Sequence, residues 1–260
     1  MKIILCVKQV PDTTDIKWTE NNTIQREGLE SILNPYDVYA LENALWLKNE
    51  YVNVHITTLT MGPVQAEKVL RKSISVGADE GILLCDKKFA GADTYATSKT
   101  LAAAIKTKIP EYDLILCGQF AVDGDTAQTG PGIANFLGIP EITYVKKILQ
   151  YSGDTITVLR ELDDGEEKVK VQLPAVLCVL KDEFEPSRAS INGVIKAQKA
   201  DIITYGLNDI GLDAESAGLK GSPTYVSKAF RAPKKEVECK FVENVADLTK
   251  VIQSNGGSNE

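Results

Sequence analysis

The chain has 260 residues, a formal net charge of −7 and a pI near 5.0, and 43% of its residues are hydrophobic. This length suits one large α/β domain or a domain with an appendage, and the acidic balance argues against a nucleic-acid-binding surface. No apolar run approaches the roughly 20 residues of a membrane span. The short apolar start is followed at once by Lys8, Pro11 and Asp12, which indicates the first buried strand of a cytoplasmic protein rather than a signal peptide.

Apolar runs alternate with helical patterns along most of the chain. The runs predict buried strands at 2–7, 54–60, 81–85, 113–117 and 175–180. Between them, periodic patterns predict helices at 37–50, 64–76, 94–107 and 126–138. This alternation predicts a doubly wound, mostly parallel, Rossmann-like sheet covered by helices on both faces, with ligands outside the carboxyl ends of the strands.

The pattern changes between about 142 and 172. Short alternating runs at 142–150, 155–161 and 168–173 are separated by turn residues at 152–154 and 163–165. They predict an antiparallel ribbon inserted before the last buried strand.

The periodicity fades after Leu180. Lys196 and Lys199 lie near a predicted short helix, and 201–240 contains many glycines and prolines with only brief apolar runs. Such a stretch cannot make its own core, so it is either functional or an arm on another protein. We therefore expect an α/β domain at 1–200 and an arm at 201–260, with a last helix at about 243–253 and a mobile end at 254–260.

Cysteine and histidine usage argues against metal and triad chemistry. No cysteines are spaced as CxxC, and four of the five end apolar runs, which predicts buried thiols in a reducing compartment. The five are Cys6, Cys85, Cys117, Cys178 and Cys239. The one histidine, His55, lies in an apolar run and is interpreted as structural, so no metal site is expected.

The loop at 118–131 follows a predicted strand and leads into a predicted helix that starts near Thr126. Gly118, Gly124 and Gly130 permit close backbone approach and positive φ. Free backbone N–H groups at a helix N-terminus favour a phosphate-bearing ligand. An ordinary strand-to-helix turn is the alternative.

Other strand ends belong to the same predicted edge. Asp93 is predicted to cap a helix on which Thr94 and Thr97 share a face, although these threonines could serve in capping alone. From pattern, the further ligand candidates are Val7, Lys8, Asp93, Thr94 and Thr97 at the other strand ends, together with Gly118 and Gln119 of the loop itself.

Several sequence motifs of this chain occur in the same order as those of one protein family. The segments that carry the match are 6–12, 34–37, 61–63, 118–131, 158–165, 167–169 and 174–178. Over nearly its whole length the chain resembles the β subunit of electron transfer flavoproteins. The resemblance implies an adenine-nucleotide-binding α/β fold and a heterodimer with a larger α subunit, which the C-terminal segment embraces.

Residue by residue, the resemblance assigns the nucleotide to one set of positions. They are Cys6, Asn34, Pro35, Tyr36, Asp37, Met61, Asp123, Gly124, Asp125, Thr126, Ala127, Gln128, Thr129, Gly130, Pro131 and Ala134.

The loop also divides the family. AMP-binding members tend to carry a run of aspartates followed by Asn-Gln, whereas this chain resembles the electron-bifurcating group, which holds FAD here and oxidises NADH. Gly124 leaves room near the pyrophosphate, and Thr126 and Thr129 offer hydroxyls. The flavin carries the chemistry, so no catalytic side chain is expected.

This resemblance implies three electron-transfer partners and leaves two alternatives. One electron passes to ferredoxin or flavodoxin, and the other passes through the α-subunit FAD to an acyl-CoA or enoyl-CoA dehydrogenase in anaerobic metabolism. The alternatives are a conventional β subunit with AMP at the same site and a non-redox adenine-nucleotide module.

A segment at about 184–197 resembles the family's recognition loop. Ile191 stands where an apolar anchor for the dehydrogenase is expected, with ordinary packing as the alternative. Glu161 is expected near the electron path or at the α subunit.

Overall fold

The computed structural model describes residues 1–12, 31–182, 185–227, 241–242 and 244–255. The strands are β1 (Lys2–Cys6), β2 (Gln9–Pro11), β3 (Ser31–Leu33), β4 (His55–Met61), β5 (Glu80–Leu84), β6 (Leu114–Gly118), β7 (Glu141–Ser152), β8 (Thr155–Leu162), β9 (Gly165–Gln172), β10 (Ala175–Val179) and β11 (Ile202–Tyr205). The helices are α1 (Pro35–Glu50), α2 (Glu67–Val76), α3 (Thr94–Lys108), α4 (Thr129–Leu137), α5 (Ile191–Lys199) and α6 (Val245–Asn255).

The main sheet has nine strands in the order β11-β5-β4-β1-β6-β10-β7-β8-β9. From β11 to β7 every neighbouring pair is parallel, and β8 and β9 then continue the sheet in antiparallel fashion. The mostly parallel sheet and the antiparallel insertion are therefore confirmed. Asp163 and Asp164 form the tight turn between β8 and β9, within the turn predicted at 163–165.

Helices cover both faces of the sheet. Ile3 and Leu5 of β1 point to the face covered by α1, α2 and α5, whereas Ile4 and Cys6 point to the face covered by α3 and α4. Successive residues of a strand point to opposite faces, so a strand buried on both sides must be apolar throughout. This explains the unbroken apolar run of β1.

The direction of winding reverses between β1 and β6. From β1 the chain passes through α1 to β4 on one side, while β6 leads through α4 on the other face. Neighbouring strands that lead away in opposite directions leave a crevice at their carboxyl ends, where ligands bind in open α/β sheets.

The helix after β6 begins later than expected. α4 starts at Thr129, and residues 125–128 are not helical, so the prediction of a start near Thr126 was wrong. Two of these residues, Asp125 and Ala127, have left-handed backbone that a helix cannot contain.

Two compact units divide the chain, residues 1–227 and residues 228–260. The first unit continues past the predicted boundary at residue 200, because β11 pairs in parallel with β5 and Leu207, Ile210 and Ala217 are buried. These three side chains pack into the hydrophobic core on one face of the sheet.

The second unit contains α6, close to the helix predicted at 243–253. Ser254 and Asn255 belong to this helix, and the mobility predicted for residues 254–260 stays a prediction. The predicted arm at 228–240 and the remaining end at 256–260 lie outside the described residues.

Three of the cysteines are buried free thiols, as predicted. They are Cys6, Cys117 and Cys178. Burial, together with the charge of Asp37, raises the pKa of Cys6 to about 12. Cys85 is only half-buried, and Cys239 lies outside the described residues.

His55 does not sit in the core. It is exposed at the first residue of β4, where its Nε2 lies 3.2 Å from Glu80 Oε1. This is the amino-terminal edge of the sheet, opposite the crevice. Among the described residues no helix combines the length and the apolar character that a membrane crossing requires.

Candidate functional site

Asp37 joins the two strand ends that frame the crevice. Its side chain lies in the first turn of α1 and is 5% exposed. Oδ2 accepts a hydrogen bond from Lys8 N at 2.7 Å, and Oδ1 accepts from Gly118 N and Asn34 Nδ2, each at 3.0 Å. Burial raises the pKa of Asp37 to about 7, against the three N–H donors, which favour the ionised form.

Asn34 holds the start of the 118–131 loop. Its Nδ2 donates to Phe120 O at 2.8 Å, and its Oδ1 accepts from Val122 N at 3.3 Å. The backbone of Asn34 donates to Lys8 O at 3.0 Å. This buried amide therefore connects β1, α1 and the loop, which explains why an Asn-Pro turn stands directly before α1.

Lys8 and Asp123 form an ion pair across the crevice. Lys8 Nζ lies 2.6 Å from Asp123 Oδ1. Lys8 follows β1 and Asp123 lies in the loop after β6, so the pair holds the middle of the loop beside the end of β1. An anionic ligand at this point competes with Asp123 for the Lys8 ammonium.

The far end of the loop is tied to α3. Thr94 Oγ1 donates to Gln128 Oε1 at 2.7 Å, and Ser98 Oγ donates to Thr129 O at 3.1 Å. A Cβ on Gly132 would come within 2.8 Å of Ser98 Cβ, so glycine lets α4 pack tightly on α3. Of the predicted threonines, Thr94 thus reaches the loop, while Thr97 is half-buried one turn further along the helix.

Gly118 and Gly130 permit close packing, as predicted, but none of the three loop glycines has a positive φ, which corrects that part of the prediction. A Cβ on Gly118 would lie 2.7 Å from Tyr36 Cβ, and one on Gly130 would lie 2.7 Å from Cys117 Sγ. Gly124 has open space around it. Positive φ occurs instead at Asp125 (50°) and Ala127 (56°).

A run of backbone N–H groups in this loop is left free. Gly124 N and Asp125 N donate to Ala121 O, but within the described residues the five N–H groups of 126–130 donate to no protein acceptor. Left-handed residues and a helix N-terminus turn successive N–H groups toward one concave surface, which suits an anion. The predicted phosphate-binding geometry thus has a physical basis.

Several predicted site residues have side chains that are already engaged. Asp93 caps α3 by accepting from Ala96 N at 3.0 Å, as predicted, and its Oδ2 accepts from Thr224 N at 3.0 Å. The Oε1 atom of the buried Gln119 accepts from Tyr144 N at 2.6 Å.

The other predicted positions surround the same edge. Three of them are buried beneath this edge, namely Cys6, Val7 and Ala134. Four are half-buried around it, namely Pro35, Tyr36, Met61 and Pro131. Their contacts with a nucleotide stay predictions.

Three residues at the site were missed from the sequence, namely Ser98, Phe120 and Val122. Ser98 could have been found, because it stands four residues after Thr94 on the same helix face. Phe120 and Val122 contribute backbone groups, which side-chain chemistry does not reveal.

Ile191 is the first residue of α5 rather than part of a loop. Its side chain is 81% exposed, so packing in the core is excluded for this residue. Glu161 is also exposed, on β8, with Lys146 Nζ at 3.7 Å from its Oε2. No described contact links Glu161 to the crevice, and its partner role stays a prediction.

α5 is held firmly against α2. Arg71 of α2 pairs with Glu67, and its Nη1 donates to the carbonyls of Ala197, Gln198 and Ala200 at the end of α5. A Cβ on Gly193 would lie within 3.1 Å of the carbonyl carbon of Ser75, so α5 and α2 pack with their backbones close together. The helix that carries Ile191 is therefore a fixed platform.

The chain thus has a doubly wound α/β sheet with a free N–H run at its switch point, which is the place where proteins of this fold class bind nucleotides. The sequence profile of the electron transfer flavoprotein domain matches residues 21–210. The chain therefore belongs to the electron transfer flavoprotein family, as a β-type subunit. Membership of this family implies flavin or AMP binding in general.

Three relatives cover nearly the whole chain. This chain is 45% identical over 236 residues to the caffeyl-CoA reductase-Etf complex subunit CarD of Acetobacterium woodii. The matched region covers 90% of this chain and 89% of that protein. It is 44% identical over 230 residues to the electron transfer flavoprotein subunit beta of Clostridium acetobutylicum, with 88% and 87% covered. It is 41% identical over 244 residues to the acryloyl-CoA reductase electron transfer subunit gamma of Anaerotignum propionicum, with 91% of each chain covered.

Proposed function

We propose that this chain is the β subunit of a heterodimeric, electron-bifurcating electron transfer flavoprotein that binds FAD and oxidises NADH. One electron goes to ferredoxin or flavodoxin, and the other goes through the α-subunit FAD to an acyl-CoA or enoyl-CoA dehydrogenase. The free N–H run of residues 126–130 supports the nucleotide-binding part of the proposal, because it supplies an anion site for the phosphates of the cofactor.

The residues present fit the pyrophosphate of FAD. Five N–H donors at a helix N-terminus suit two linked phosphates, and Thr126 and Thr129 add hydroxyls. Gly124 has no protein atom near the position of a Cβ, which leaves room for the ligand. The crevice between β1 and β6 is the place where α/β sheets bind dinucleotides.

The protein's own residues bind and orient. Asp37 and Asn34 fix the loop on the ends of β1 and β6, and Lys8 supplies a positive charge beside it. When bound, FAD supplies the redox chemistry, taking electrons from NADH in pairs and passing them on singly. No side chain needs to act as an acid or a base in this scheme.

The names of two relatives support a dehydrogenase that acts on a CoA thioester. CarD belongs to a caffeyl-CoA reductase complex, and the Anaerotignum protein is an electron transfer subunit of acryloyl-CoA reductase. For this chain we propose that the exposed Ile191 at the start of α5 anchors such a dehydrogenase.

The C-terminal segment is proposed to pack on the α subunit. In α6 the side chains of Val245, Leu248 and Ile252 are exposed. Their spacing of three and four residues puts them on one side of the helix, which suits an apolar partner surface. We propose that the complex works in the cytoplasm.

A conventional β subunit with AMP is the second candidate. The same free N–H groups suit the single phosphate of AMP, and they do not distinguish it from a pyrophosphate. The family assignment argues against the third alternative, a non-redox nucleotide module.

The test is the nucleotide content of the purified αβ complex, followed by anaerobic titration with NADH. Two FAD per complex and prompt bleaching of the visible spectrum by NADH are expected. One FAD with one AMP, and no response to NADH, would overturn the proposal in favour of the conventional subunit.

Matched variants then assign the site. Thr126→Val and Thr129→Val should weaken FAD retention, whereas Thr107→Val should not, because its hydroxyl donates to Ala103 O near the opposite end of α3. If all three variants retain FAD equally well, the hydroxyls of Thr126 and Thr129 do not belong to the site.

A further inference from the structure

Tyr144 has a backbone conformation that bulky residues rarely adopt. It lies in β7 with φ of 58°, and its side chain is 41% exposed. A left-handed bulky residue outside a turn is strained, and such strain persists only where the surrounding structure imposes it. Strained residues cluster at functional sites, which makes the reason for this one worth seeking.

The neighbouring strands hold Tyr144 in place. The buried side chain of Gln119 accepts from Tyr144 N at 2.6 Å, and Gln119 N donates to Val179 O at 2.8 Å. The pairing of β7 with β10 shifts register between Leu177 and Val179, which produces a local bulge. A bulge re-aims a side chain, and here it fixes the direction of the tyrosine ring.

That ring extends a line of aromatic side chains. The rings of Tyr144 and Phe120 lie 6.0 Å apart at 75°, and those of Phe120 and Tyr36 lie 5.4 Å apart at 66°. We call Tyr36, Phe120 and Tyr144 the aromatic wall. Both contacts are edge-to-face, the favourable geometry for aromatic pairs.

The aromatic wall adjoins the candidate nucleotide site. Phe120 O accepts from Asn34 Nδ2, and Tyr36 stands in the first turn of α1 beside Asp37. The 118–131 loop begins at this wall and ends at α3, where Thr94 meets Gln128. Phe120, the middle residue of the aromatic wall, and the free N–H run thus belong to the same loop.

We propose that the aromatic wall receives the isoalloxazine ring of the FAD whose pyrophosphate lies on the N–H groups of residues 126–130. This inference rests on the proposed function. FAD carries a ring system on each side of its pyrophosphate, whereas AMP has only its adenine and no second ring system to place on the wall. Planar heterocycles stack favourably on aromatic side chains, and the exposure of Tyr144 leaves its ring available.

The positive φ of Tyr144 points to a substitution that should leave the fold intact. Glycine is the residue best suited to φ of 58°, so Tyr144→Gly removes the ring while easing the backbone. Asn53→Gly is the matched control, because Asn53 has φ of 60° and lies just before β4, at the opposite edge of the sheet. Tyr144→Phe keeps the ring and removes only the hydroxyl.

The experiment measures FAD and AMP affinity of the β site in the αβ complex, together with the visible spectrum of the bound flavin. Loss of one stacking contact predicts an increase of about tenfold in the FAD dissociation constant for Tyr144→Gly, with a shifted spectrum. AMP affinity should not change, and Asn53→Gly and Tyr144→Phe should match the unaltered complex. Thermal unfolding confirms that each variant is folded.

Each contrary outcome has its own meaning. If the complex holds two FAD, and Tyr144→Gly changes neither FAD affinity nor the spectrum, the aromatic wall is wrong and the proposed function stands. If Tyr144→Gly weakens α-subunit association while FAD affinity is kept, the wall is a protein contact and the inference is overturned. One FAD and one AMP in the unaltered complex overturns both proposals.

Discussion

The carboxylate of Asp37 accepts a hydrogen bond at 3.0 Å from the backbone N–H of Gly118, a residue 81 positions further along the chain. The other oxygen of Asp37 accepts from Lys8 N, so one buried side chain holds together the two strand ends at which the winding of the sheet reverses. Both oxygens of Asp37 are therefore engaged in holding the two sides of the crevice together.

Replacement of Asp37 by asparagine should destabilise the protein. Asparagine has one acceptor oxygen where Asp37 has two. Its NH2 group would face a backbone N–H donor, which would lose its acceptor. A buried donor without an acceptor costs about 1–3 kcal/mol. Urea unfolding of the D37N variant at pH 5 measures this loss. Unchanged stability would show that the Asp37 hydrogen bonds contribute nothing.

Asp37 should also make stability depend on pH. Burial raises its pKa from 3.8 to about 7, so the folded state binds the proton more tightly than the unfolded chain does. Its contribution is fully present below about pH 4 and is lost as pH rises toward 7, by at most about 4 kcal/mol. The stability difference between the unaltered protein and D37N should shrink over this range. A difference that stays constant with pH would contradict the raised pKa.

Gly118 and Gly124 form a matched pair within one loop. A methyl group on Gly118 meets Tyr36 and Asp37, and overpacking of this kind costs about 1–3 kcal/mol or more. The same methyl group on Gly124 meets nothing within 4 Å, so its effect should stay within about 0.5 kcal/mol. Thermal and urea unfolding of G118A and G124A should separate clearly. Equal effects would mean that the loop adjusts to remove the clash.

Ile191 should matter for electron delivery but not for folding. Because its side chain is exposed, Ile191→Ala should leave unfolding unchanged and raise the KM for the dehydrogenase at least about fivefold, as loss of an interface hot spot does. Val52→Ala is the control, since Val52 is equally apolar and 87% exposed in the turn after α1. If both variants transfer electrons to the dehydrogenase normally, Ile191 is not an anchor.

Arg71 should determine how rigidly α5 is held. Its guanidinium caps the last carbonyls of α5, and hydrogen bonds to a charged group contribute about 1.5–3 kcal/mol. Arg71→Ala should therefore lower hydrogen-exchange protection of α5 amides by about tenfold to a hundredfold. Lys68→Ala, an exposed change in the same helix, should not. Unchanged protection in R71A would assign the stability of α5 to its packing at Gly193.

The order and type of most strands and helices could be predicted from the amino-acid sequence. Periods of two and of about three and a half residues are local properties, so the alternation of strands and helices, the antiparallel ribbon and the edge that carries the site could all be predicted. The apolar run of β1 and the polar loop after β6 illustrate this, because burial on both faces and exposure at a strand end leave direct marks in composition.

Features that depend on packing between distant segments became visible only in the folded protein. In the sequence, β11 is only a short apolar run with no partner indicated. It pairs with β5 because β5 would otherwise be the unpaired edge of the sheet. Positive φ at Asp125, Ala127 and Tyr144 is imposed by surrounding contacts against local preference, so glycine positions were a poor guide to it. The ties of Asp37 to Gly118 and of Lys8 to Asp123 join distant segments, and no local pattern encodes which distant residues will meet.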